Sequence, residues 1–357
     1  MTHLRLCVEF ETGRSVEFIP KHIEAFGIRE LWSFFDKGDA SCELHIATED
    51  PVIDGKEQKG NATVKSLINF NEQPYPFALV PGGWLPLAFA IPPRFLVDRN
   101  VIADLRKLKN GQGNMKLTSI ECWASFFKDG GGTFNPLPYA WEGGLCRMPT
   151  FEEFVQAFDK GVLELRSLLP NSQVITYGAS QYRTAYQIVK DFEPLAMKET
   201  EFLCSISPLV ADRVPRGKEH AVEERLVLEA RKLGLGLNSL IFIAALSCLY
   251  DDPHGNIFSI GRKLLKPSRN YKAEDAFNAL SDLRQIELVA AGQAYFSGEA
   301  FSLSTSDHGL ASLWCALSPR GISPNGTIIE FTFDLTKELF PRLAGTDMTQ
   351  VRNLVCE

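Results

Sequence analysis

The stretch "FLVDRNVIADLRKL", residues 95–108, decides the fold prediction, because an apolar run leads straight into an acidic residue and then into a helical pattern. "RFLV", residues 94–97, predicts a short buried strand, and "NVIADLRKLKN", residues 100–110, predicts the helix that follows it. Asp98 lies at the junction. Because a carboxylate pays a large desolvation cost on entering an apolar core, we expect Asp98 to face a cleft or a cation.

A second stretch repeats this arrangement. "FSLSTSDHGLASLW", residues 301–314, predicts a strand, then Asp307, then a helix. In a parallel α/β sheet both Asp98 and Asp307 would lie at the carboxyl ends of strands, where open α/β folds place their sites. Two converging carboxylates repel unless a cation lies between them, and oxygen ligands without a nearby His or Cys pattern indicate Mg²⁺ or Mn²⁺. The alternative for each aspartate is a helix N-cap.

Composition narrows the class of protein. The 357 residues are 45% hydrophobic, which is enough for a sizeable core without disulfides. The eight cysteines show no CxxC pair and no zinc spacing, so they predict free thiols in a reducing cytoplasm. The net charge of −7 argues against a broad basic surface, although bound divalent cations can invert the local field of a nuclease.

No signal peptide or membrane span is predicted. The apolar residues 76–93 contain five prolines and two glycines, and residues 237–250 are too short to cross a bilayer. We therefore expect a soluble, cytoplasmic protein without a membrane partner.

The pattern along the chain predicts an α/β fold with a central, mostly parallel sheet. Residues 1–92 are expected to form a small N-terminal α+β module with a Pro-rich lead-in that packs on the core, and its helix is expected to start near Pro20. Residues 93–320 would form the core, with a helical insertion at about 165–250, and residues 321–357 would add a strand and a terminal helix. Thr150 and Glu153 match a capping box at the start of one core helix.

The two strand–acid–helix stretches resemble a known family. "FLVDRNVIADLRKL" looks like the opening of PIN-domain nucleases, and "FSLSTSDHGLASLW" resembles the later strand of that family, with its acidic residue after a Thr or Ser. "DAFNALSDLRQIELVAAG", residues 275–292, resembles the family's helix that presents a third aspartate inward. The resemblance covers roughly residues 94–317 and implies a PIN-like three-layer core.

The resemblance also implies a set of site residues. The expected catalytic and metal-ligating residues are Asp98, Glu142, Asp282 and Asp307. Glu121 is the alternative to Glu142, and Asp275 is the alternative to Asp282 and a supporting residue. Either glutamate would otherwise lie on a solvated helix face. Asn100 and Thr305 are expected to support the site, and Asn100 would otherwise cap the helix. The gap between the second and third acids is longer than is usual in the family, so the helices between them would be an insertion.

A locally basic segment precedes the predicted Asp282 helix. "GRKLLKPSRNYK", residues 261–272, contains Arg262, Lys263, Lys266 and Arg269, which would bind a phosphate backbone or, alternatively, would lie in a solvated loop.

The sequence thus predicts a metal-dependent endoribonuclease that hydrolyses phosphodiester bonds with Mg²⁺ or Mn²⁺. Its substrate is expected to be RNA, and a regulatory protein or a second copy of the chain is a further expected partner. The resemblance suggests toxin-like or host-defence roles. The alternatives are a catalytically silent scaffold with the same fold and a metal-dependent phosphatase with a small-molecule substrate.

Overall fold

The protein is a mixed α/β molecule built around a six-stranded, mostly parallel sheet. The structure, a computed structural model, describes residues 6–9, 13–37, 40–70, 76–90, 94–112, 127, 132–142, 147–252, 259–295, 301–325, 328–343 and 346–356.

The strands, in chain order, are β1 (Leu6–Glu9), β2 (Ser15–Phe18), β3 (Pro20–Ile23), β4 (Ala40–Glu49), β5 (Val52–Ile53), β6 (Lys56–Glu57), β7 (Asn61–Phe70), β8 (Phe77–Val80), β9 (Gly83–Pro86), β10 (Arg94–Val97), β11 (Thr133–Asn135), β12 (Gln173–Val174), β13 (Ser302–Thr305), β14 (Pro319–Asn325) and β15 (Ile328–Phe333). The helices are α1 (Ile28–Lys37), α2 (Arg99–Lys109), α3 (Leu137–Glu142), α4 (Phe151–Leu168), α5 (Ala179–Val210), α6 (Glu219–Leu233), α7 (Leu240–Leu249), α8 (Ile260–Leu265), α9 (Ala273–Tyr295), α10 (His308–Leu317) and α11 (Thr346–Cys356).

The central sheet has the strand order β12-β11-β10-β13-β8-β9. Strand β10 pairs in parallel with β11 on one side and with β13 on the other, whereas β8 and β9 form an antiparallel edge. The chain leaves β10 towards β11 and β12 and later returns on the opposite side as β13. The strand order therefore reverses beside β10, at the kind of switch point where α/β sheets bind ligands.

Local signals in the sequence account for the elements that frame this switch point. Strand β10 buries three of its four residues, and Asp98 follows it as the N-cap of α2. The capping box of Thr150 and Glu153 is confirmed at the start of α4. Helices α5, α6 and α7 fill most of the predicted helical region at about 165–250, which also contains the short strand β12. Across the parts of the chain that the structure describes, every helix is too short or too polar to span a lipid bilayer.

Two predicted helices differ from the structure. The helix expected from Pro20 begins at Ile28, because Pro20 opens strand β3 instead. The terminal helix expected after Thr336 is only a short 3₁₀ turn, Lys337–Leu339, and the last helix is α11. Pro341 explains the second difference, since a proline disfavours the helical conformation of the residue before it. The segment "LTSIECWASFFKDGGG", residues 117–132, predicts a helix or a strand-helix unit and lies almost wholly outside the described residues.

The Pro-rich lead-in forms the two edge strands β8 and β9 of the central sheet. Trp314 Nε1 holds their turn by donating to the carbonyl oxygens of Val80 and Gly83, both at 2.8 Å. Residues 77–86 therefore belong to the same sheet as the core that was expected to begin at residue 93.

Trp84 joins the N-terminal module to this edge. The backbone N–H of Phe26 donates to Trp84 O at 2.9 Å, and Trp84 N–H donates back to Phe26 O at 3.0 Å. The Trp84 ring is fully buried and packs against Phe26, Phe34 and Phe77 with centroid distances of 5.3 to 5.4 Å. The module is thus held by both hydrogen bonds and aromatic packing.

The chain after α10 forms a ribbon of its own. Strand β15 pairs with β14 in an antiparallel two-stranded sheet, and this ribbon contacts α9. The C-terminal strand expected to complete the core therefore packs on a core helix and pairs outside the central sheet.

Gly83 gives a test of the junction with the N-terminal module. A Cβ atom at this position would lie 2.0 Å from Phe26 O, so Gly83→Ala must push the two paired segments apart. We expect a loss of about 3 kcal/mol in the free energy of unfolding, measured by urea denaturation. Gly111→Ala is the control, because its Cβ would meet no atom within 4 Å. Its cost should stay near 1 kcal/mol, about the penalty for its left-handed backbone. Equal losses in the two variants would contradict the clash.

Candidate functional site

Four acidic side chains from separate elements meet at the switch point. Asp98 follows β10, Glu142 ends α3, Asp282 lies in α9, and Asp307 follows β13. Asp98 and Asp282 interact electrostatically with each other, Glu142 interacts with both of them, and Asp307 also interacts with both. The structure thus brings together all four acids that the sequence predicted, and we call this group the acid cluster.

Asp98 is the buried centre of the cluster. Its side chain is 1% exposed, and Thr305 Oγ donates to its Oδ2 at 2.7 Å. Asn100 donates its Nδ2 to Oδ2 at 3.3 Å and its backbone N–H to Oδ1 at 3.4 Å. Asn100 and Thr305 both contact Asp98, and Asn100 does so at the start of the helix that Asp98 caps, as the capping alternative also predicts. Thr305 Oγ also accepts from the backbone N–H of Asp307 at 3.0 Å, which links the two aspartates.

Gln285 is a site residue that the sequence analysis missed. Its Nε2 donates to Glu142 Oε1 at 2.6 Å and to Asp98 Oδ1 at 3.3 Å. The side chain is 3% exposed, and its Oε1 has no hydrogen-bond partner in the described part of the chain. Gln285 lies three residues after Asp282, and residues at this spacing share a helix face. That spacing is the signal that would have identified it once Asp282 was placed in the site.

Three carboxyl groups of the cluster, those of Asp98, Glu142 and Asp282, have raised pKa values. Burial raises the pKa of Asp98, and repulsion from Asp307 adds to the increase, whereas the hydrogen bond from Thr305 opposes it. Burial also raises the pKa values of Glu142 and Asp282 well above their usual range, and the neighbouring acids raise them further. Repulsion from the neighbouring carboxyl group of Asp98 thus favours the protonated form of Glu142.

Three cations partly offset this negative charge. Arg99 favours the ionised form of Glu142, and Lys266 does the same for Asp282. Lys263 interacts electrostatically with Asp307, although burial lowers the pKa of this lysine. The cluster therefore combines a buried acidic centre with basic side chains near its members.

The predicted basic segment divides into two groups. Lys263 interacts electrostatically with Asp307, and Lys266 interacts electrostatically with Asp282. Arg262 instead binds Asp251 at 3.0 Å and donates to the carbonyl oxygen of Ala211 at 3.0 Å. Arg269 forms an exposed ion pair with Asp212, at 2.6 Å. The two arginines thus hold the segment against the end of α5, and only the two lysines are placed towards the site.

Asp275, the alternative to Asp282, does not join the cluster. Asp275 is exposed at the start of α9, where its Oδ2 accepts from the backbone N–H of Lys272 at 2.9 Å. Its electrostatic partners are Cys204 and Tyr271. Asp275 therefore serves as a helix cap. Glu121 lies outside the described residues.

The donor set has the chemistry of a magnesium or manganese site, but its geometry is not that of an assembled one. The four acids offer carboxylate oxygens as ligands, and Mg²⁺ and Mn²⁺ prefer oxygen ligands of this kind. Within the described ranges, however, no three His, Cys, Asp or Glu side chains are arranged to hold a metal ion together. Asp98 and Asp307 also act as helix caps, as the simpler alternative predicted. The acids are thus electrostatic neighbours, with the Gln285 amide bonded to two of them.

Comparison of the chain with protein-family models, with curated proteins and with solved structures found no match in any of the three. The PIN-like resemblance therefore stays a prediction from the residues that carry it.

The raised pKa values predict how the acid cluster affects stability. Glu142 has a higher pKa in the folded than in the unfolded protein. Its favourable contribution to the free energy of unfolding is therefore complete below the ordinary carboxyl pKa of about 4, and this contribution is lost as the pH rises through the raised pKa. Glu142→Gln removes this titration. As the pH rises, we expect Glu142→Gln to become more stable relative to the wild type. The free energies of unfolding of both proteins are measured by urea denaturation. A difference that does not change with pH would show that Glu142 titrates normally.

Proposed function

We propose that the chain is a metal-dependent endoribonuclease with a PIN-like fold, in which the acid cluster holds Mg²⁺ or Mn²⁺. The observation that carries this proposal is the meeting of Asp98, Glu142, Asp282 and Asp307 at the switch point of the sheet. Each of the four comes from a different element, and their order along the chain is the order that the resemblance implies.

A bound cation would stabilise the cluster in two ways. Burial and mutual repulsion raise the pKa values of three of its carboxyl groups, and a divalent cation would remove much of that repulsion. Gln285 Oε1 is a buried acceptor without a hydrogen-bond partner in the described part of the chain, and its own amide group already contacts the cluster. Unpaired buried acceptors are costly, so this atom is a further oxygen suited to a cation or to its bound water.

The chain's own residues would orient the reaction. Held by the carboxylates of the acid cluster, Mg²⁺ or Mn²⁺ would supply activation of a water molecule and stabilisation of the leaving oxygen. Thr305 and Gln285 fix the Asp98 carboxylate through its hydrogen bonds, and Gln285 also fixes Glu142. Lys263 and Lys266 would attract the phosphate backbone towards the acids. RNA as the substrate, together with toxin-like or defence roles, rests on the family resemblance.

A catalytically silent scaffold is the second candidate function, and one observation favours it. Asp98 and Asp307 each accept a hydrogen bond from the backbone at the start of a helix, from Asn100 N–H and Leu310 N–H respectively. Capping by itself explains why an aspartate follows each strand. Metal binding separates the two candidates, because helix caps need no cation.

Manganese is therefore expected to stabilise the wild-type protein against heat. A ligand present at about 100 times its dissociation constant adds about 2.7 kcal/mol to the stability of the folded state. We expect Mn²⁺ to raise the melting temperature of the wild type and to have little effect on Asp282→Asn, measured by differential scanning fluorimetry. Asp275→Asn, on the same helix, should respond like the wild type. Equal shifts in all three proteins, or no shift in the wild type, would favour the scaffold.

Asp98→Asn tests catalysis directly. The substitution keeps the size of the side chain but removes the buried negative charge, so cleavage of single-stranded RNA in the presence of Mn²⁺ should fall by at least about a thousandfold. The fold should survive, because the loss of charge relieves repulsion within the cluster. Asp275→Asn serves as the control and should retain activity.

The choice of substrate distinguishes a nuclease from a phosphatase. The wild-type protein should cleave an end-labelled oligoribonucleotide at internal positions. It should leave p-nitrophenyl phosphate intact. Hydrolysis of the small ester alone would instead favour a phosphatase, and cleavage that persists in Asp98→Asn would refute the assigned site.

A further inference from the structure

A cavity of about 510 Å³ lies between two helices, α5 and α9. One wall comes from α5 and the other from α9, and both walls have the spacing of a single helix face. The α5 wall includes Ala196, Met197 and Thr200, and the α9 wall includes Phe277, Ser281 and Arg284. Its volume is in the usual range for small-molecule sites.

Three lining residues of the cavity directly precede residues of the acid cluster or residues that contact it. Ser281 and Arg284 line the cavity, and the residues that follow them, Asp282 and Gln285, contact the cluster. Trp141 also lines the cavity, and the next residue is Glu142. Successive residues of a helix point about 100° apart, so a ligand in the cavity would lie on the neighbouring face of the same helices.

The lining combines aromatic and polarizable side chains with one carboxylate, Glu193, which is paired with Lys190. Trp141 and Phe277 are aromatic, and Met148 and Met197 are polarizable side chains that adapt to a planar ligand. Hydroxyl groups of Thr200 and Ser281 provide partners for polar ring edges. The lining therefore offers both apolar contacts and hydrogen-bonding groups.

The cationic groups of the lining are already neutralised. Arg284 is 4% exposed and forms ion pairs with Glu199 and Glu287. Arg147 pairs with Glu153 at 2.7 Å. A phosphate group would therefore gain little in this cavity, whereas it would meet Lys263 and Lys266 at the acid cluster.

We propose that the cavity binds a nucleobase of the RNA strand whose phosphate lies at the acid cluster. A base presents two apolar faces for aromatic stacking and a polar edge for hydrogen bonds, which matches the lining. Its position as a substrate subsite rests on the proposed nuclease function. The site would give the protein a preference for one type of base next to the cleaved bond.

Nucleotide binding to the Asp98→Asn protein tests this site without cleavage. The probes are the four ribonucleoside 5′-monophosphates and ribose 5-phosphate, which lacks the base, and the measurement is isothermal titration calorimetry. At least one nucleotide should bind about tenfold more tightly than ribose 5-phosphate, the order expected for base stacking. Ala196→Leu in the same background fills the cavity and should abolish that difference. Thr200→Leu is the second filling variant, should Ala196→Leu fail to fold.

Ala221→Leu is the matched control, because Ala221 is exposed on α6 and does not line the cavity. It should bind nucleotides as the parent does. The inference is overturned if no nucleotide binds more tightly than ribose 5-phosphate, or if the filling variants and the control behave alike, even where RNA cleavage is observed. Base-dependent binding lost in the filling variants supports the cavity site even if the protein cleaves no RNA, in which case only the proposed function fails.

Discussion

The hydrogen bond from Thr305 Oγ to the buried carboxylate of Asp98 is the contact on which the centre of the molecule depends. At 2.7 Å it joins the ends of β10 and β13, beside the backbone bond from Asp98 N–H to Ser304 O. Gln285 adds a bond from α9 and connects the same carboxylate to Glu142. A buried carboxylate requires partners, and these partners come from different elements. Burying Asp98 therefore sets the register of the two central strands and the position of α9.

The rotation of α9 about its axis depends on a second buried contact. Arg284 and Glu199 form an ion pair between α9 and α5, and each side chain is 5% exposed. Burial raises the pKa of Glu199 to about 7 despite the attraction of Arg284, so this pair contributes more to orientation than to stability. With Arg284 held against α5, Asp282 and Gln285 lie on the side of α9 that is near Asp98 and Glu142. The same rotation places the cavity wall beside the acids.

The predictability of the site differs from residue to residue. Asp98 and Asp307 follow from local pattern, since each comes directly after an apolar strand and before a helix. Glu142 and Asp282 depended on the family resemblance, because nothing in their immediate sequence separates them from acids on a solvated helix. Gln285 carries no charge and matches no motif, and its role arises only from its contacts.

What the sequence by itself determined is the set of local elements: the strand before each central aspartate, the helix after it and the caps of α2, α4 and α10. These depend on neighbouring residues, whose periodicity and capping chemistry are visible along the chain. The tertiary structure alone decided that residues as far apart as Asp98 and Thr305, separated by 207 positions, share a hydrogen bond. It also decided that Arg262 pairs with Asp251 and Arg269 with Asp212, while Lys263 and Lys266 interact electrostatically with acids of the site. Such contacts depend on strand pairing and helix rotation, which short-range pattern does not encode.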